Sequence, residues 1–421
     1  MKTYTFKLLS FGKNKRLHAK IDAAGVIWNH LVKLQARHRA LFYPQGEKDA
    51  SEENKALLEI IKKNKEAKKY PGKPFSAYRV YNRLQARRQK DKSRLGHMLN
   101  ELNTGAVQNL TERLERAFNL FFSKWRRGDR NMQPVRAQTP GYYPSFTLKA
   151  ATKGYKFVWP KREIVIMGET YKFHEGRIPR GTVKTVTVKR DKLGDIYVYA
   201  VSDESEEKKT RDPRPLVGID MWLSPALTLS DGGKYEVPAF YHSKIDELKA
   251  IDRGLSRKRE LKKAKDRETG ECSPPSAEYT KLRMRRLRLF RNIANKRREH
   301  HIQLARELAK KYGTIAVPEV PIQRLAHRAR KSRQKGLRLK DLGYSMFLSW
   351  LERQCLKTGT TFIKIPGRSQ LARTCHECGH VMEKTPGNTW TCQQCGKTHD
   401  REFNVAKNIE KAAIKEMNWA D

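Results

Sequence analysis

The chain has 421 residues, of which 89 are Lys or Arg and 45 are Asp or Glu, so its formal charge is +44. No uninterrupted apolar run approaches the roughly 20 residues that a membrane helix needs, which excludes a membrane-spanning protein. So large a charge would make a compact fold repel itself unless a polyanion shares it, and this predicts a nucleic-acid partner. An anionic membrane surface explains the charge less well, because the basic residues run through the whole chain instead of forming one patch.

The pattern of apolar residues in the first half of the chain predicts a strand followed by a helical region. Residues 1–9 read as a strand with Tyr4, Phe6 and Leu8 on one face, and they lack the long apolar core of a secretory signal. The protein is therefore expected in a reducing compartment, the cytoplasm. From about Leu17 to Gly128 apolar residues recur at helical spacing, with dense basic residues between them, which favours a helical lobe that contacts phosphates.

Short strands and then a linker are predicted next. The pattern changes to alternating strands from about Ser145 to Asp203, and Val183–Val188 and Ile196–Val201 are predicted to form a hairpin. The polar run Ser202–Pro215 contains two prolines and predicts a linker between domains.

The second half alternates buried strands with long helices. Four strands are predicted, at Leu216–Asp220, Ala226–Ser230, Thr314–Val317 and Thr361–Ile365. A basic helical stretch is expected over about Ser243–Tyr312 with a break near Gly270–Pro275, and a last helix is expected from about Phe403.

Two Cys-x-x-Cys pairs near the C-terminus are separated by thirteen residues. Their members are Cys375, Cys378, Cys392 and Cys395. This spacing lets four thiolates converge on one structural Zn²⁺. The segment buries too little apolar surface to fold alone, whereas a structural zinc supplies roughly 10–16 kcal/mol of apparent binding free energy. Two disulfides are the alternative, which a reducing compartment disfavours. Cys272 and Cys355 are expected to be free thiols, with Cys355 buried on a helix.

Four acidic residues lie at the ends of predicted elements. Asp220 ends one strand, Glu319 follows another, and Asp400 and Glu402 precede the last helix. Where such ends meet at one edge of a sheet, carboxylates can hold two Mg²⁺ ions about 4 Å apart that activate water for phosphodiester hydrolysis. Each acid taken alone is equally explained as a helix N-cap or a surface ion pair. The neighbouring His399 fits several roles, and none is assigned to it.

These residues resemble the TnpB family of transposon-encoded, RNA-guided DNA nucleases, which is related to the compact type V CRISPR effectors. The resemblance is carried by Gly218-Ile219-Asp220, Val317-Pro318-Glu319, the four cysteines and the run from His399 to Ile409. It covers about the last half of the chain. The first half is similar only in the order of its predicted elements.

The resemblance implies an α+β multidomain fold. A helical recognition lobe would be inserted in a β-barrel wedge domain, followed by an RNase H-like RuvC nuclease domain with an inserted zinc finger. The implied boundaries are 1–12 for the first wedge strand, 13–135 for the lobe, 136–205 for the wedge barrel, 206–215 for the linker, 216–371 and 400–421 for the RuvC domain, and 372–399 for the zinc finger.

The resemblance also implies catalytic roles. Asp220 and Glu319 match the first and second catalytic acids. The third acid of the family's usual His-Asp-Arg-Asp-x-Asn run stands two residues before the Asn, where this chain has Glu402. A Glu places its carboxylate on the order of 1.5 Å further out than an Asp, and misplacement on the order of 1 Å can cost about a hundredfold in rate. Asp400 is the alternative third acid, although residues two apart near a helix start point in different directions.

The implied function is a Mg-dependent, RNA-guided DNA endonuclease. It would bind a guide RNA and cut target double-stranded DNA beside a short flanking motif. Trp222, which follows the first acid where small residues are common, is expected to narrow the mouth of the site. The alternative is a nuclease-impaired, RNA-guided DNA-binding repressor in which Glu402 reflects a decayed site. A general RNA-binding protein with a zinc ribbon shares the composition but not the ordered acids. The oligomeric state and the guide do not follow from the sequence.

Overall fold

The computed structural model divides the chain into two compact units, Met1–Glu206 and Glu207–Asp421. The residues that it describes are 1–9, 14–42, 76–88, 90–128, 135–139, 143–149, 154–204, 214–319, 332–366, 368–384 and 387–418. Most of the predicted linker, 206–213, lies outside these ranges, as does the basic segment 320–331. Within them, no helix is both long and apolar enough to cross a membrane.

The N-terminal unit contains two antiparallel sheets. The first has the order β1 (Lys2–Lys7), β7 (Ile196–Ser202), β6 (Val183–Arg190) and β2 (Ser145–Lys149). The second has the order β3 (Tyr155–Val158), β4 (Glu163–Ile166) and β5 (Glu169–Lys172). An isolated bridge between Leu8 and Phe173 links them. The described strands do not close into a barrel, so the predicted wedge barrel is not confirmed.

Between β1 and β2, the described residues form four helices. They are α1 (Lys15–Phe42), α2 (Ala77–Arg88), α3 (Arg94–Glu101) and α4 (Thr104–Arg126). Their apolar residues share one core with the first sheet, since Ile27, Leu31, Leu110 and Leu114 are fully buried together with Phe6. The predicted helical region is thus confirmed where the structure describes it, and residues 43–75 of that region lie outside the described residues.

The predicted hairpin is confirmed as well. β6 and β7 pair antiparallel, and Gly194 turns the chain between them at φ +90°, a conformation that other residues rarely adopt.

The C-terminal unit is built around a five-stranded mixed sheet. Its order is β10 (Lys234–Tyr235), β9 (Leu227–Leu229), β8 (Leu216–Met221), β11 (Thr314–Pro318) and β12 (Thr361–Ile365). β8 runs antiparallel to β9 and parallel to β11, and β11 runs parallel to β12. The four predicted strands are confirmed, and β10 is an addition that its two-residue length hid from the sequence pattern.

Helices fill the connections of this sheet. α5 (Ile245–Thr269) and α6 (Ala277–Lys311) form the predicted broken helical stretch between β10 and β11, with Gly270 ending α5 at φ +70° and the Ser276 side chain capping α6. The remaining elements are α7 (Arg333–Leu342), α8 (Tyr344–Thr358), α9 (Arg368–Leu371), β13 (Thr389–Thr391), β14 (Thr398–Asp400) and α10 (Arg401–Asn418).

Both faces of β8 are buried. Val217 and Ile219 belong to an apolar cluster that includes Leu304 of α6 and Phe347 of α8. Leu216 packs against the cluster formed around α10. Because side chains alternate along a strand, Gly218 and Asp220 lie on the α10 face with Leu216.

α10 crosses β8 at Gly218 in direct backbone contact. A Cβ atom on Gly218 would collide with the carbonyl oxygen of Ala406 and would lie 2.6 Å from the backbone nitrogen of Glu410. Any side chain at position 218 would therefore push the helix away from the sheet.

Candidate metal centre and carboxylate site

The four cysteines of the two Cys-x-x-Cys pairs converge. Their sulfur atoms all lie within 4.8 Å of one another, with 3.7 Å between Cys375 Sγ and Cys395 Sγ and 3.6 Å between Cys378 Sγ and Cys392 Sγ. A tetrahedron with Zn–S bonds of about 2.3 Å has edges of about 3.8 Å, so the sulfurs have the spacing that zinc requires. The distances exceed the roughly 2.05 Å of a disulfide, and all six cysteines are free.

The environments of the thiols differ before any metal binds. Hydrogen bonding from the backbone N–H of Cys395 lowers the pKa of Cys392 to about 6. Burial raises the pKa of Cys375. A backbone hydrogen bond from His380 lowers the pKa of Cys378, but burial and the neighbouring thiols outweigh it and raise that pKa to about 12. Four simultaneous thiolates therefore require a cation among them.

His399 supports this cluster from β14. Its side chain is 5% exposed, and its Nε2 lies 3.2 Å from Cys375 Sγ. Burial lowers the pKa of His399 below its ordinary value, which keeps the ring neutral at pH 7. The contact places His399 beside a metal ligand, a role that the sequence left open.

Two asparagines of α10 attach the first cysteine pair to the helix. Asn404 Oδ1 accepts a hydrogen bond from the backbone N–H of His376 at 2.9 Å, and Asn404 Nδ2 donates to the carbonyl oxygen of Thr374 at 2.8 Å. Asn408 Nδ2 donates to the carbonyl oxygens of Thr374 at 2.7 Å and Leu371 at 2.9 Å. No role was predicted for these asparagines from the sequence. The signal that could have identified them is the presence of polar side chains at buried positions of an amphipathic helix.

Asp220 and Glu319 lie at the carboxyl ends of neighbouring parallel strands. The ladder pairs Ala316 with Gly218, so both acids lie just beyond the same rung. Asp220 is 1% exposed, whereas the side chain of Glu319 is exposed. The backbone N–H of Glu319 donates to Ile365 on β12 at 2.8 Å.

Asp400 and Glu402 have different surroundings at the start of α10. The helix begins at Arg401, two residues earlier than predicted, because the Asp400 side chain caps it by accepting the backbone N–H of Phe403 at 3.0 Å. Asp400 also pairs with Lys234 at 3.0 Å. Partial burial raises the pKa of Asp400. The hydrogen bond from the Phe403 N–H and the interaction with Lys234 lower this pKa by more, so that it lies below its ordinary value.

The sequence pattern predicted that Glu402 precedes the helix. In the structure, Glu402 lies inside the first helical turn. It is 6% exposed and stands one turn before Ala406, the residue that meets Gly218. Asp220 is two strand residues from the same crossing, so each acid is about 6–7 Å along its own element from that point.

Arg401 connects the two elements that carry these acids. Its guanidinium donates to Glu402 Oε1 at 2.7 Å and lies 5.4 Å from the centre of the Trp222 ring. Trp222 follows Asp220 by two residues, so Asp220 and Glu402 lie on the same side of the crossing. Among the residues that the model describes, however, the four cysteines are the only group of three or more potential metal ligands within 4.8 Å of one another. The three acids do not converge this closely.

Comparisons with known proteins place this geometry in a family context. Residues 344–409 match the model of the Cas12f1-like TNB domain. A candidate RNA-guided DNA endonuclease of Streptomyces pristinaespiralis is 26% identical over 75% of this chain and 73% of its own length. The TnpB-like protein L79 of Acanthamoeba polyphaga mimivirus is 23% identical over 55% of this chain and 44% of its own length.

The predicted resemblance to the TnpB family is confirmed. A cryo-EM structure of a Cas12f1–sgRNA–target DNA complex agrees in fold, with a TM-score of 0.50 and 15% identity over 95% of this chain and 83% of that chain. The matched TNB segment contains the four cysteines together with Asp400 and Glu402, and excludes Asp220 and Glu319. The match to the family model thus covers the segment in which the cysteine cluster meets α10.

Proposed function

We propose that this protein is an RNA-guided DNA endonuclease. It binds a guide RNA and cuts target double-stranded DNA beside a short flanking motif in the prokaryotic cytoplasm, at the nucleoid. The cleaving unit is a RuvC domain of residues 216–371 and 400–421 with a zinc finger at 372–399 between its parts. The N-terminal half supplies the wedge and recognition domains within 1–205.

The placement of Asp220 and Glu402 carries the proposal. Two buried carboxylates stand on a central strand and on the helix that crosses it, on one side of the Gly218 crossing. A third acid, Glu319, ends the adjacent parallel strand. Three carboxylates concentrated at one sheet edge offer the oxygen ligands that a divalent cation prefers, so their placement supports a metal-dependent site. A nuclease is also supported by the names of the relatives, among which is a candidate RNA-guided DNA endonuclease.

The donor set fits the metals that the proposal needs. Asp220, Glu319 and Glu402 offer the hard oxygen ligands that Mg²⁺ prefers, and the four cysteines offer the tetrahedral sulfur ligands of a structural Zn²⁺. Bound Mg²⁺ would activate a water and stabilise the leaving oxygen of the cut phosphodiester.

The basic hairpin of α5 and α6 supports a nucleic-acid substrate. From Ile245 to Lys311 the chain has 21 Lys and Arg residues against 10 Asp and Glu residues. Several of these acids pair within the hairpin, as Asp252 does with Arg286 at 2.6 Å and Glu247 with Arg285 at 3.0 Å. The basic residues that remain in excess form a surface suited to a phosphate backbone.

Cleavage by the purified guide complex tests the proposal. The protein is isolated with RNA from cells that carry its native locus, and the RNA is sequenced to design a matching duplex. Asp220→Ala should abolish Mg²⁺-dependent cutting and leave guided binding intact, whereas the exposed Asp246→Asn on α5 should leave both unchanged. Cutting by Asp220→Ala at the wild-type rate would refute the assigned site.

A second pair of variants identifies the third acid. Glu402→Gln removes a buried ligand and should abolish cleavage. Asp400→Asn weakens a cap and an ion pair, so cleavage should fall only severalfold. The reverse ranking would assign the role to Asp400.

The alternative, a nuclease-impaired guided repressor, is favoured by two observations. Glu402 is bonded to Arg401, and in the described residues the three acids do not form a group of metal ligands as the cysteines do. Guided binding by the wild-type protein without nicking at any Mg²⁺ or Mn²⁺ concentration would establish the repressor and exclude the endonuclease.

A further inference from the structure

Several hydrogen bonds join the cysteine cluster to the start of α10. Asn404, which is fully buried, holds the backbone of Thr374 and His376 on either side of the ligand Cys375. The His376 ring also lies against Asn404, with 3.0 Å between Nδ1 and Oδ1. One side chain of the helix thus fixes the first Cys-x-x-Cys turn at two points.

A second set of contacts reaches the same helical turn from the other side of the cluster. His399 contacts Cys375 Sγ through Nε2, and the residue that follows it, Asp400, caps α10. The backbone N–H of Arg401 donates to the carbonyl oxygen of Asn388 at 2.8 Å, next to β13. The first turn of α10 is therefore held by both halves of the zinc knuckle, defined as residues 372–399.

The first turn of a helix needs such support. Its leading N–H groups have no partners within the helix, and helix ends open more readily than helix centres. A metal ligand in this turn can be placed only as accurately as the turn itself is ordered. Glu402 stands two residues before Asn404, so the two side chains leave the helix in different directions, one toward the sheet and one toward the knuckle.

We propose that the zinc knuckle positions Glu402, with Asn404 as the positioning residue that transmits the order of the metal-bound cysteine turn to the first turn of α10. The inference rests on the proposed function, in which Glu402 is a ligand of the catalytic metal. It gives the zinc a role in assembling the nuclease site in addition to folding its own segment. Loss of zinc, or of the Asn404 contacts, would loosen the carboxylate without removing it.

Two substitutions separate this role from general stability. Asn404→Ala removes both hydrogen bonds. Asn404→Gln keeps the amide donor and acceptor and adds no charge, but it moves them by about 1.5 Å and so weakens both hydrogen bonds. Thr391→Val is the matched control, because it removes a side-chain hydrogen bond to Thr398 within the same knuckle that does not reach α10.

The guide-loaded complexes are compared by zinc content, by Mn²⁺ binding measured by electron paramagnetic resonance, and by hydrogen exchange of residues 401–405. We expect Asn404→Ala to keep one zinc per chain, to weaken Mn²⁺ binding about tenfold and to increase exchange in the first turn of α10. Asn404→Gln should show the same changes at about threefold, and Thr391→Val should match the wild type. If Asn404→Ala does not fold, the milder Asn404→Gln decides the result.

Unchanged Mn²⁺ binding and unchanged exchange in a zinc-loaded Asn404 variant would overturn the inference. Failure of the proposed function has a different signature, since wild-type protein would then lack a Mn²⁺ site that Asp220→Ala removes. Hydrogen exchange would still report whether the knuckle orders the helix start. The two failures are therefore distinguishable in one set of samples.

Discussion

The zinc knuckle and the carboxylate site are assembled in opposite ways. The four cysteines lie within one short segment on two tight turns, and their sulfurs already have tetrahedral spacing. The three acids come from two strands and a helix that are far apart in sequence, and they do not reach one another within 4.8 Å in the described chain. The knuckle has a small apolar cluster around Trp390, whereas the acids lie at the edge of a large core.

This contrast shows what holds each site in place. Local turns determine the cysteine geometry and the apolar cluster of the knuckle is small, so a bound metal would be its main source of stability. Strand order and the approach of α10 to β8 determine the acid geometry, so packing is the main source of order there. The two regions should respond differently to metal removal, to steric pressure and to acid.

Removal of one zinc ligand should have the largest effect. Cys392→Ser leaves three thiolates where the bound zinc contributes on the order of 10 kcal/mol, so zinc should be lost on dialysis and residues 372–399 should become protease-sensitive. Metal analysis and limited proteolysis measure both. The exposed Cys272→Ser is the control and should retain zinc. Full zinc retention by Cys392→Ser would show that the knuckle is not built by its metal.

Steric pressure at the sheet should have the next largest effect. Gly218→Ala forces α10 away from β8, and overpacking of this kind costs about 3 kcal/mol of unfolding free energy. Urea unfolding of the zinc-loaded protein measures it. Gly387→Ala places its Cβ no nearer than 3.7 Å to a neighbouring atom, so this knuckle variant should unfold like the wild type. Equal stability of the two variants would mean that α10 can move without cost.

Acid should weaken the sheet through His301 of α6. Burial lowers the pKa of His301 to about 4, from an ordinary value of about 6.5. The unfolded chain therefore takes up this proton at higher pH than the folded chain does. The contribution to stability is complete above about pH 6.5 and is lost as the pH falls toward 4, by up to about 3 kcal/mol.

A variant that lacks only His301 isolates this contribution. His301→Leu should lose about 2 kcal/mol less stability than the wild type between pH 7 and pH 4.5 in urea titrations. Acid also releases zinc from thiolates, but that loss is common to both proteins and cancels in the comparison. An unchanged slope in His301→Leu would assign the acid sensitivity to the knuckle alone.

The sequence predicted the parts whose determinants are local. The spacing of the cysteines was sufficient because each pair closes its own turn, and the strands around Asp220 and Glu319 followed from short apolar runs. The start of α10 was placed two residues late, since the pattern of apolar residues gives no weight to a capping side chain such as Asp400. Cys355 is buried on α8, as expected.

Features that depend on residues far apart in the chain could not be predicted from the sequence in this way. Closure of the predicted barrel depends on pairing between strands far apart in the chain, and the described sheets are linked only through the Leu8–Phe173 bridge. The distance between the acids depends on how closely α10 approaches β8. Gly218 allows this close approach, but a glycine in a sequence does not by itself predict it. Arg401 and Asn404 lay within the family motif, yet their roles became visible only with their contacts.

The bond between Arg401 and Glu402 has a consequence for the charge of the carboxylate site. Two buried carboxylates at one sheet edge would repel each other, and the guanidinium beside Trp222 supplies a built-in counter-ion for one of them. A divalent ion that bound Glu402 would therefore replace one cation with another and would not enter an uncompensated negative site. The sheet edge can keep its fold without that ion for this reason, and the affinity for the ion would be lower by the free energy of the bond that Arg401 gives up.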